Sequence, residues 1–86
     1  MLEETDNVIG LEVYTPEGIF LGQVDRVILD VPNKKVDGLF METASPVLVD
    51  EGVSINIPYG WVQSVGDVVL LRYFPKRVSR NGRVEQ

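Results

Sequence analysis

Apolar and polar residues alternate strictly in one part of this chain, with Val53, Ile55 and Ile57 set against Ser54 and Asn56. A period of two places the apolar set on one face of a β-strand. Looser versions of the pattern recur along the chain. In residues 8–14, Leu11 and Val13 share one face and Glu12 and Tyr14 the other. Thr15-Pro16-Glu17-Gly18 reads as a turn, because proline presets φ and glycine accepts the strained position. A hairpin partner then follows over residues 19–24. Asp25-Arg26 breaks the alternation, and Val27-Ile28-Leu29 resumes out of phase. A bulge or sharp bend there lets one long strand serve two sides of a barrel. Gly22 suits a tightly curved position where no side chain is wanted.

After a turn over residues 30–35, a third strand is expected over residues 36–42 and a fourth over 53–57, where Pro58 ends its ladder. Residues 43–52 read as a loop containing Val47-Leu48-Val49, and residues 61–65 as a single helical turn. Gly66-Asp67 leads into a fifth strand over residues 68–73, stopped by Pro75. No window sustains the i, i+3, i+4, i+7 apolar spacing of a helix. Short strands separated by close turns predict an all-β fold, a small closed or partly open barrel of five to six strands with minimal helix.

Length sharpens that expectation. A chain of 86 residues makes one small domain, and a single-layer sheet buries too little surface to hold it together. The strands must close up or pair with a partner. The expected organisation is an N-terminal extension over residues 1–7, the barrel domain over 8–75, and a flexible basic tail over 76–86. Charge marks the same boundary. Residues 1–75 carry 4 Lys/Arg against 12 Asp/Glu, whereas the tail holds Lys76, Arg77, Arg80 and Arg83 against Glu85. The acidic body repels nucleic acid, and the tail attracts an acidic partner or a phosphate surface.

Chemistry is restricted by what is missing. There is no cysteine and no histidine, so thiolate and Ser-His-Asp catalysis and the usual zinc and iron sites lack their groups. No phosphate-binding glycine motif occurs. Carboxylates such as Asp25, Asp30, Asp37 and Asp67 read as solvated turn and strand-edge groups. The expectation is a protein that is not an enzyme, with no cofactor and no metal. No apolar run approaches the ~20 residues of a membrane span, and the acidic start is unlike a signal peptide, so a cytoplasmic protein without membrane insertion is expected.

Candidate partner-binding residues are those the barrel has trouble hiding. Tyr59 and Trp61 either close the barrel end or anchor a partner, since Tyr and Trp lead interface hot spots; RNA stacking is a third option, against which the acidic body argues. Phe20, Phe40, Met41, Leu48 and Phe74 add more bulk than a small interior holds. The fifth strand is apolar on both faces, which calls for cover on both. Val69, Leu71 and Tyr73 on this strand, with Lys76, Arg77 and Arg80 of the tail, complete the candidate set. A second copy across a two-fold axis is the simplest cover, giving a homodimer. The Val47–Val49 loop or the N-terminal segment folding back is the alternative.

One resemblance spans nearly the whole chain. Gly10-Leu11-Glu12-Val13-Tyr14, then Gly18-Ile19-Phe20-Leu21-Gly22-Gln23-Val24, Val27-Ile28-Leu29-Asp30, Ile57-Pro58-Tyr59 and Val65-Gly66-Asp67-Val68-Val69-Leu70-Leu71 together resemble the PRC-barrel family. The resemblance implies a twisted β-barrel that works as an assembly module without catalytic residues. The chain looks like the stand-alone archaeal members, some of which resemble cell-division proteins acting with FtsZ and its membrane anchor SepF. The implied partners are SepF-like or FtsZ-associated proteins or a paralogous PRC-barrel protein, at the division site through a membrane-anchored partner. The alternative is an RNA-processing or ribosome-maturation factor resembling the barrel domain of RimM.

Overall fold

A computed structural model describes residues 8–80 and the backbone of 84–85. The elements among them are nine strands and one 3-10 turn: β1 (Glu12–Tyr14), β2 (Phe20–Gln23), β3 (Arg26–Asp30), β4 (Lys35–Met41), β5 (Ile55–Pro58), the 3-10 turn (Tyr59–Trp61), β6 (Val62–Val65), β7 (Val69–Leu71), β8 (Arg77–Val78) and β9 (Val84–Glu85). One sheet has the order β2-β1-β7-β6 and a second the order β3-β4-β5, while β8 and β9 pair separately. Neither sheet closes on itself. The two enclose one core, so the fold is an all-β, partly open barrel. Its two sheets hold seven strands rather than the five or six expected.

Local chemistry explains the first hairpin. Gly18 sits at φ 83°, where a Cβ is strained, and its N–H bonds the Thr15 carbonyl at 2.8 Å. The buried Thr15 hydroxyl accepts the Ile19 N–H at 3.1 Å, which fixes the return of the chain. The expected bend at residues 25–26 separates β2 in one sheet from β3 in the other. Asp25 makes that corner: its N–H bonds the Phe40 carbonyl at 2.9 Å, and its carboxylate accepts the Glu42 N–H at 2.7 Å. The register shift of the β3–β4 pair lies further on, between Ile28 and Leu29. Gly22 meets the expectation of close approach, since a Cβ there would lie 2.7 Å from Met41 Cε and 3.1 Å from the Thr43 carbonyl.

The core combines both sheets. Val13, Leu21 and Val69 come from the first, Leu39, Met41 and Ile57 from the second, and Val49 from the loop between β4 and β5. Met41 and Leu48 therefore fit inside. Phe74 packs against the core from its edge, and Phe20 stays on the surface. The strands paired across the widest sequence separation are β1 and β7, whose parallel pairing sets Val13 beside Val69 and Tyr14 beside Leu70.

Two expectations need correction. Residues 61–65 do not form a helical turn. The turn is Tyr59–Trp61, and Val62–Val65 is a strand paired with β7. Its alternation is masked by an irregular register between Val62 and Ser64. The other concerns the tail. Residues 76–80 are docked on the body: Val78 N–H bonds the Leu48 carbonyl at 2.9 Å, and Asp50 N–H bonds the Val78 carbonyl at 2.9 Å. Arg77 donates to Asp50 Oδ1 at 2.5 Å and 3.1 Å and to the carbonyls of Pro46 and Val47 at 3.1 and 2.9 Å. Asp50 Oδ2 accepts the Arg80 N–H at 2.9 Å. A basic run after a proline reads as a free end, yet here its charges answer an acid 27 residues earlier. The extension over residues 1–7 and tail residues 81–83 and 86 lie outside the described residues.

The docked segment has a pH signature. The Arg80 N–H and then the Arg77 guanidinium favour ionised Asp50 and hold its carboxyl below the ordinary value of 3.8. A depressed folded value means the stabilisation is full above 3.8 and is lost as pH falls through the folded value. Amide exchange of Val78 and Arg80 is expected to be flat from pH 7 to about pH 5, after correction for intrinsic rates, and to lose protection below the ordinary carboxylate range. Asp50→Asn should lose protection of these amides at neutral pH. Unchanged protection in that variant would rule out the carboxylate as the anchor.

Candidate interaction surfaces

The candidate residues fall into three environments. Val69 and Leu71 are 0 % and 3 % exposed and belong to the core, so they form no partner surface. An alternating strand has two faces, and period alone does not say which points inward. The residue that faces outward on β7 is Leu70, 42 % exposed.

Tyr59 and Trp61 share the 3-10 turn that follows Pro58, but their side chains do different things. Tyr59 is exposed. Trp61 is half-buried against the core and packs edge-to-face on Tyr73 at 4.8 Å and on Phe74 at 6.2 Å. Trp61 and Tyr73 are thus brought together. Arg72 ties this cluster down, its N–H bonding the Trp61 carbonyl at 2.7 Å and its guanidinium the Val62 carbonyl at 3.0 Å. Arg77 is half-buried and committed to Asp50, and Arg80 donates to the Glu51 carbonyl at 2.7 Å. Lys76 is exposed. The tail cations therefore do not act as one patch.

Sequence reasoning missed a surface on the outside of the first sheet. Register sets Phe20 beside Tyr14, Tyr14 beside Leu70, and Leu70 beside Ser64. This row crosses all four strands. Phe20 is 43 % exposed and meets the Tyr14 ring edge-on at 5.7 Å. The Tyr14 hydroxyl donates to Glu12 Oε1 at 2.9 Å, and this bond raises its pKa by favouring the protonated phenol. Phe20 and Leu70 were visible as surplus apolar residues. Their adjacency was not, because it depends on β1 pairing with a strand more than fifty residues away.

A groove of about 210 Å³ lies between β5 and residues 74–78. Asn56, Ile57, Trp61, Phe74, Pro75 and Val78 line it. Among the described residues, no three acidic side chains gather as a metal site, and no helix is long and apolar enough to cross a membrane.

No curated protein matches the chain. A family model described as the PRC-barrel domain matches residues 2–78, which takes in both sheets and β8. The match agrees with the all-β, two-sheet architecture and with a domain that continues past Pro75. The chain belongs to the PRC-barrel domain family.

Proposed function

We propose that this protein is a non-catalytic adaptor that acts by presenting surfaces in a cytoplasmic assembly, and that it self-associates through the outer face of its first sheet. Membership of the PRC-barrel family supports a protein-interaction module. The observation that carries the self-association reading is the row Phe20–Tyr14–Leu70, three large side chains aligned across neighbouring strands with two of them over 40 % exposed. Contiguous apolar surface of this kind marks interaction sites. A second copy across a two-fold axis covers the whole row with one self-complementary surface. This replaces a dimer through Val69 and Leu71, which are not accessible.

The assembly we favour is archaeal FtsZ-based cell division, with SepF-like or FtsZ-associated partners or a paralogous PRC-barrel protein. It rests on the likeness of the chain to stand-alone family members. The other assembly is a ribosome-maturation or RNA-processing complex. The acidic body and the commitment of Arg77 to Asp50 weigh against a nucleic-acid surface.

Size-exclusion chromatography with light scattering tests the dimer. The protein is expected to run as a dimer at high micromolar concentration, and Leu70→Glu as a monomer with an unchanged β spectrum. A monomeric unmodified protein at that concentration ends the dimer reading. Affinity capture from native lysate at moderate salt separates the two assemblies: recovery of SepF-like or FtsZ-like proteins supports the first. Ribosomal proteins with nuclease-sensitive RNA support the second.

A further inference from the structure

We infer that β3 is a second self-association edge, at which two copies of the chain pair their β3 strands antiparallel about a two-fold axis through Ile28. This edge belongs to the second sheet and goes beyond the dimer proposed for the first. β3 pairs with β4 alone and forms one edge of its sheet. Among the described residues, no backbone hydrogen bond joins residues 26–30 to any strand but β4. An open edge is a template for another strand.

The residues of β3 say which strand fits it. Arg26-Val27-Ile28-Leu29-Asp30 is complementary to itself when reversed. With Ile28 on the axis, Arg26 stands opposite the second copy's Asp30, Val27 opposite its Leu29, and Ile28 opposite its own counterpart. Symmetry makes two such ion pairs, one at each end of a wholly apolar centre. Residues directly opposed on antiparallel strands lie on the same face, close enough to interact. Arg26, Ile28 and Asp30 share the outer face, and Val27 and Leu29 the other. Ile28 and Leu29 are both exposed, while Val27 packs against the core. The second copy therefore covers Leu29 with an apolar neighbour that its own chain does not supply.

Charge also selects the register. An axis at Val27 sets Arg26 opposite Ile28, and an axis at Leu29 sets Asp30 opposite Ile28. Only the axis at Ile28 pairs both charges. Neither charge is fully committed within its own chain. Arg26 approaches Glu42 at 3.9 Å, with both side chains largely in water. Asp30 accepts the Asn33 N–H at 3.3 Å and its side-chain amide at 2.8 Å, which leaves lone pairs on both oxygens.

The other sheet edges are less suited. At β2 the chain covers itself: Ser45 N–H bonds the Leu21 carbonyl at 2.7 Å, and Ala44 bridges to Gly22. β5 ends in Pro58, which has no N–H to donate, and β6 has an irregular register after Val62. Neither carries a charge that would fix a register. β3 contains no proline, glycine or lysine, the residues that commonly guard an edge.

Five residues a side bury less than the ~1,200 Å² of a standard interface, so the contact forms at millimolar concentration and leaves the micromolar test of the dimer undisturbed. In the unmodified protein, the amide resonances of residues 27–29 are expected to shift with concentration in the millimolar range. A mixture of isotope-labelled and unlabelled chain should show intermolecular proximity of Val27 to Leu29. Charge reversal tests the register. Arg26→Asp and Asp30→Arg each leave one sign at both ends of β3 and should weaken pairing about tenfold, with an unchanged β spectrum. Mixed one to one, the two variants oppose unlike charges again and should pair as the unmodified protein does. Resonances of residues 27–29 that ignore concentration, or a mixture that pairs no better than either variant alone, would overturn the inference. Full exchange protection of every β3 amide at micromolar concentration would overturn it as well, because the chain would then be covering its own edge. Leu70→Glu should keep the β3 response. That response without a micromolar dimer of the unmodified protein would remove the first-sheet dimer and leave the β3 edge. A dimer with no response at β3 would do the reverse.

Discussion

Glutamate at Val69 is expected to abolish folding, and the same glutamate one residue later, at Leu70, to leave the domain folded. Val69 is wholly inaccessible, on a strand held between β1 and β6, and it stands beside Val13 and Val65. A carboxylate there loses its water inside an apolar core cluster. No cation is placed to pair with it in the core cluster. An uncompensated buried charge costs several kcal/mol even after its pKa rises to neutralise it. A small domain has about 5–15 kcal/mol in total, and one this short sits toward the lower end. Leu70 points the other way and keeps its new charge in water. Circular dichroism and urea titration separate the two variants. A folded Val69→Glu with an unchanged midpoint, or an unfolded Leu70→Glu, would mean that the faces of β7 are assigned the wrong way round.

The second large effect is at Leu39. It lies at the middle of the central strand of the second sheet, with Val27 opposite on β3 and Ile57 opposite on β5, and it is completely buried. Leu39→Ala removes three carbons from a site walled by both neighbours, so the backbone cannot close the gap. The expected loss is about 2–5 kcal/mol. With a urea slope of about 1–3 kcal/mol per molar, the midpoint should fall by at least about 0.7 M. Phe40, the next residue, faces outward beneath the Arg26 guanidinium, 5.5 Å from its ring centroid. Phe40→Ala should cost only about 1 kcal/mol, despite deleting a larger side chain. Equal losses at the two positions would show that Leu39 is not the centre of this core.

These contrasts mark where the sequence was and was not legible. Adjacent apolar residues such as Val69 and Leu70, or Leu39 and Phe40, have the same local signal and opposite surroundings. Local chemistry was readable wherever it acts within a few residues. Thr15 through Gly18 turned as expected, Asp25-Arg26 marked the passage between sheets, and Gly22 met a neighbour too close for a side chain. The candidate sites were less legible. Trp61 and Tyr73 met, but Tyr59 stayed apart, and Val69 and Leu71 proved to be core.

The sequence by itself determined the all-β class and the absence of cysteine and histidine chemistry. It also carried the family resemblance, since these depend on residue type, period two and turn residues close in the chain. Only the tertiary structure decided which apolar residues are buried, because a strand with two apolar faces becomes one-sided only when a partner strand fixes its register. Parallel pairing of β1 with β7 aligned Tyr14 with Leu70, and the hairpin added Phe20, making a surface from three residues that no local window contains. The same holds for Asp50 and Arg77. Their charges were plain in the sequence, but the ion pair that turns a basic run into the last part of the domain exists only once β4, β5 and the segment after Pro75 have folded together.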